Sequence, residues 1–136
     1  MTDQNYQQST WSLTDLFPGP QSPELEDAFK QLEKQVAALE ERRSELSDDI
    51  QQENFLSIIK DIEAITLLGQ KVYSFAGLYF SEDTQNQAAQ NLMARVEEFV
   101  AEMTNRTLFF NLWWKALDEE KAQELIAVSG DYAYWL

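Results

Sequence analysis

Leu78-Tyr79-Phe80-Ser81-Glu82-Asp83-Thr84 separates two long runs of helical periodicity, and its polar half supplies a corner that turns one run back along the other. Upstream, Phe55, Ile58, Ile59, Ile62, Ile65, Leu68, Val72, Phe75 and Tyr79 recur at steps that put them on one helix face. Downstream, Leu92, Val96, Phe99, Met103, Phe110, Trp113 and Leu117 step by four and three, with Arg106 interrupting the stripe. Thr84 and Gln87 stand at capping-box spacing, so the hydroxyl is expected to accept from a free N–H while the amide reaches back. The reading is an antiparallel hairpin: one helix from residue 52 or 54 to Phe80, a second ending at Leu117. At ~1.5 Å per residue the second helix spans on the order of 50 Å, the length of a rod.

Working outward, Ser22 offers an N-cap oxygen, Pro23 suits the first helical position, and Glu24, Glu26 and Asp27 favour the positive end of a helix. That helix carries Leu25, Phe29, Leu32, Val36, Leu39 and Leu46 on one stripe, and a turn is expected around Asp48-Asp49. Residues 1–21 form an N-terminal arm with a short apolar turn, Trp11, Leu13, Leu16 and Phe17, ended by Pro18-Gly19-Pro20. Asp118 can cap a short helix with Ala122, Leu125 and Ile126, which Gly130 ends in the left-handed conformation, and Asp131 offers a cap for another starting at Tyr132. Gly69 and Gly77 lie inside the first rod, and close packing of a neighbour is preferred to a hinge because the flanking pattern continues undisturbed. The fold class is therefore all-α, an elongated up-and-down helical array with a long antiparallel helix hairpin.

A chain of 136 residues can bury a real core, about two-thirds of its unfolded surface. Twenty-four acidic against ten basic side chains leave a net charge of −14, which repels phosphate backbones and anionic lipid, so neither nucleic acid nor membrane is an expected partner. The acids are spread along the chain and read as solvated helix faces. Cysteine is absent, which fits a reducing compartment, and the first residues lack a basic segment followed by an apolar one. A cytoplasmic location is expected.

The chain has no histidine. A zinc peptidase centre of the His-Glu-x-x-His kind, a ferritin-like di-iron site and a serine nucleophile activated by imidazole are all without their key ligand or base. Neither a phosphate-binding glycine loop nor a calcium loop is present. Adjacent acids such as Glu40-Glu41, Glu82-Asp83 and Glu97-Glu98 point in different directions on a helix and read as surface. Arg43 and Arg106 occupy stripe positions, where pairing with a neighbouring acid is preferred to meeting a substrate carboxylate. No catalytic residue, metal ligand or cofactor site is expected in this chain. One group of residues asks for a partner: Phe109, Phe110, Trp113 and Trp114 point round the helix, so burial is needed on several sides. With Tyr132 and Trp135 they form the candidate interaction surface.

Trp11-Ser12-Leu13-Thr14-Asp15-Leu16-Phe17, the LYFSEDT corner and the run from Leu108 to Trp114 together resemble the N-terminal region of oligoendopeptidase F, a thimet-oligopeptidase-like family of zinc peptidases. The resemblance covers Trp11 to Leu136 and adds little between Gln21 and Gln52. It implies that residues 22–136 are the helical N-terminal lobe of a longer peptidase. That lobe would wall a channel admitting short unstructured peptides, while zinc and its ligands lie in a downstream catalytic domain. The implied partners are the remainder of the parent chain and its oligopeptide substrates, and an isolated fragment would self-associate through its aromatic end. The alternative, which composition and periodicity favour equally, is a stand-alone acidic helical module that binds another helix through a coiled-coil stripe.

Overall fold

A computed structural model describes residues 16–131. Four α-helices account for most of them: α1, Pro23–Glu41; α2, Gln52–Glu82; α3, Gln87–Ala116; and α4, Glu119–Ser129. A 3-10 turn, Arg42–Glu45, follows α1, and no strand occurs among the described residues. Helices α2 and α3 form the expected antiparallel hairpin, α1 lies along both, and α4 folds back onto α2. At ~1.5 Å per residue α2 is about 45 Å long, so the array is elongated.

Local chemistry sets the ends. The Leu25 N–H donates to Ser22 Oγ at 3.2 Å, and Pro23 opens α1 where its missing N–H is harmless. The helix stops at Glu41, short of the expected Leu46, because Arg42 turns out to meet α2: its guanidinium donates to Ser57 Oγ at 2.7 Å and Asp61 Oδ2 at 3.0 Å, and grips Glu45 as well. Leu46 then packs from the following turn, half-buried. At the corner, Asn86 rather than Thr84 caps α3, its Oδ1 accepting from the Ala89 N–H at 3.2 Å. Asp83 Oδ1 accepts from the Gln85 N–H, and the Thr84 carbonyl accepts from Gln90 Nε2. Asp118 caps α4 as its position suggests, accepting from the Glu120 N–H at 3.2 Å. Gly130 has the expected positive φ, 55°, but a ψ of −125°, which is not the left-handed helical pair.

Two hydrophobic clusters mark the two ends of the array, with Val36 and Met103 buried between them. Near the corner, Leu16, Phe17, Leu25, Phe29, Leu32, Val72, Phe75, Leu92 and Val96 form one core. Phe17 stands edge-on to Phe75 at 5.3 Å between ring centroids, which ties the residues before α1 to the hairpin. At the opposite end, Leu39, Ile50, Phe55, Ile58, Ile59, Phe110 and Leu125 form a second. Ile65 packs against both. Between the cores Ile62, Ile65 and Leu68, expected to face inward, are only half-buried, because three helices leave that part of the hairpin without a fourth neighbour.

Ion pairs fasten α1 to α3. Arg95 holds Glu26 through two hydrogen bonds of 2.6 and 2.9 Å with its guanidinium 3.9 Å from the centroid of Phe29. Arg106 takes Glu40 in the same forked way and reaches Glu33 at 2.6 Å. These bonds hold the Glu26 and Glu40 carboxyls below their ordinary range and raise both guanidiniums. The arginine in the stripe is thus paired with neighbouring acids, and Arg43 lies over the Phe109 ring at 5.4 Å.

Candidate functional site

The uncovered middle of the hairpin is an open groove of about 610 Å³. Its floor includes Leu32, Ile65 and Val96, and its walls come from Gly69 and Tyr73 on α2 and from Val100 and Thr104 on α3. The sequence explains why it is there. On α2 the residues Phe55, Ile59, Ile62, Thr66, Gly69 and Tyr73 step by four and three, so they share one face. The first two are completely buried, in the core that includes Leu125 of α4. The last three line the groove, and Tyr73 is 47% exposed. The same stripe is thus covered at its N-terminal end and, among the described residues, open where it lines the groove.

Gly69 lines the groove, and Gly77 lies two turns further along α2, outside its lining. Among the described residues a Cβ built on either meets nothing within 4 Å, so no described neighbour packs closely there as the sequence suggested.

The electrostatics are one-sided. Glu97 is the charged residue among those lining the groove, and the rest are apolar or neutral. The four arginines engage other surfaces: Arg42 binds Ser57 and Asp61, Arg43 covers Phe109, and Arg95 and Arg106 bind acids of α1. The groove is consequently an apolar trough without a basic lining residue, in a chain of net charge −14.

The aromatic residues singled out in the sequence lie at the other end of the array. Phe110 is buried, and Phe109, Trp113 and Trp114 are half-buried against the second core. Phe55 is their common neighbour, with ring centroids 6.4 Å from Phe110, 6.1 Å from Trp113 and 5.7 Å from Trp114. The Trp113 indole N–H has no acceptor among the described residues. What this end leaves at the surface is aliphatic, Leu108 at 43% and Leu112 at 59% exposure. Tyr132 and Trp135, with Trp11 and Leu13 of the arm, lie outside the described residues.

Among the described residues no group of three acids could hold a metal ion, and no helix is long and apolar enough to cross a membrane. Sequence reasoning missed the groove, although one signal was present: the 4-3 stripe of α2 changes from Phe and Ile to Thr, Gly and Tyr midway. No family model, curated protein or solved structure matches the chain.

Proposed function

We propose that this chain is a non-catalytic helical lobe of a zinc-dependent oligoendopeptidase, shaping the channel through which short unstructured peptides reach a catalytic domain encoded downstream. The observation that carries this reading is the half-covered hairpin: rods about 45 Å long expose an apolar trough on the side where a further layer of polypeptide would pack. Such a lobe contributes shape and packing, consistent with a chain that has no histidine to bind zinc or move a proton. The LYFSEDT corner and the arm sequence supply the link to oligoendopeptidase F.

A second reading, a stand-alone acidic helical module, is favoured by one specific feature. The groove is an apolar trough between two long helices, a shape that suits a further helix. The reading frame of the native gene separates the two. A His-Glu-x-x-His sequence several hundred codons beyond Leu136 supports the peptidase lobe; a stop codon directly after Leu136 in that gene refutes it.

A further inference from the structure

We infer that the groove between α2 and α3 is a docking site for an amphipathic helix with basic edges, supplied by another polypeptide. This inference rests on the second reading, the stand-alone helical module, because the lobe reading gives the same groove to a further layer of the parent chain.

Three observations select that occupant. First, the groove lies lengthwise between two long helices, α2 and α3, and its lining is almost wholly apolar or neutral. From Val96 to Thr107 its α3 wall runs roughly 16 Å, which matches three turns of helix carrying apolar anchors at i, i+4, i+7 and i+11. Second, Gly69 leaves the space above α2 free for an incoming side chain. Third, the charge is complementary to a cation: Glu97 lines the groove, no basic residue does, and the chain carries −14 overall. A second copy of this chain would bring the same negative charge and be repelled, whereas a helix with Lys or Arg along its edges would be drawn in.

Two substitutions make the test clean. Gly69→Leu fills the groove from a position with open space, and Gly77→Ala changes the same helix outside the groove lining. The probes are synthetic helical peptides sharing one leucine stripe, with edges of lysine, glutamate or serine, titrated onto the labelled full chain by fluorescence anisotropy. The lysine-edged peptide is expected to bind, at least about tenfold tighter than the glutamate-edged one and progressively more weakly as salt is raised. Gly69→Leu is expected to weaken it about tenfold or more, and Gly77→Ala to leave it unchanged. Equal binding of the three peptides, or equal binding to wild type and Gly69→Leu, overturns the inference. So does sedimentation showing a dimer that Gly69→Leu dissolves, which would assign the groove to a second copy. Binding that appears only after residues 132–136 are deleted would assign it to the chain's own end and overturn the inference likewise.

Discussion

Replacing Phe55 by alanine should be among the most damaging single changes in the molecule. Its side chain is completely buried, and its ring lies against Phe110, Trp113 and Trp114, so the substitution opens a cavity at the meeting point of α2, α3 and α4. Phe→Ala in a core costs about 3–5 kcal/mol, and the upper part of that range applies because each aromatic pair adds ~0.5–1.5 kcal/mol beyond its buried area. A chain of this length has roughly 7–20 kcal/mol of stability in all, and the melting temperature should fall on the order of 10–20 °C. Phe55→Leu keeps most of the volume and loses the ring contacts, for about 1–2 kcal/mol. Urea and thermal unfolding followed by circular dichroism give both numbers. Tryptophan emission should shift to the red in the alanine variant while it is still folded, as Trp113 and Trp114 lose their cover. A loss below about 1 kcal/mol for Phe55→Ala, with emission unchanged, would refute the aromatic stack as the centre of this core.

Gly69→Ala and Gly77→Ala should each raise stability by about 0.5–1 kcal/mol in urea unfolding, since alanine is the better helix former and its Cβ meets nothing; a fall at either site would mean that this face of α2 is covered. A double-mutant cycle of Arg106→Ala with Glu40→Gln should give a coupling of about 0.5–1 kcal/mol that shrinks with added salt, because the side chains are 21% and 39% exposed and the pair is screened; a coupling indistinguishable from zero would make the fork structurally idle. Glu26 and Glu40 are held below their ordinary value of 4.5 chiefly by hydrogen bonds from Arg95 and Arg106, so their contribution is present above pH 4.5 and is lost as pH falls below it. The stability gap between wild type and a Glu26→Gln, Glu40→Gln variant should therefore narrow as pH drops from 4.5, and a gap that stays constant to lower pH would contradict the assignment.

Local signals in the sequence were reliable where the structure they specify is itself local. Ser22 and Pro23 start α1, Asp118 caps α4, and the apolar stripes of α2 and α3 define the hairpin and most of its buried residues. Features set by distant residues were not legible. The end of α1 depends on Arg42 meeting Ser57 and Asp61, residues 15 and 19 positions on, and nothing near Arg42 announces them. At the corner the capping-box spacing pointed to Thr84, whereas Asn86, two residues on, caps α3. Glycine inside a helix says that no side chain is required there, but whether a neighbour fills the space is a property of the whole array, and at Gly69 and Gly77 none of the described residues does. The groove escaped notice for the same reason: an apolar stripe shows that a face wants cover, not whether the chain provides it.

The separation of the two cores has a consequence for how the molecule comes apart. Phe75 and Phe55 anchor opposite ends of one continuous helix, and between Ile59 and Val72 none of its residues is fully buried. Amide hydrogens of that central stretch should exchange with solvent sooner than those at either extremity, so α2 would show two protected blocks divided by a labile waist. Each extremity can then fray without the other, and a ligand spanning the waist would couple two otherwise separate unfolding events into one.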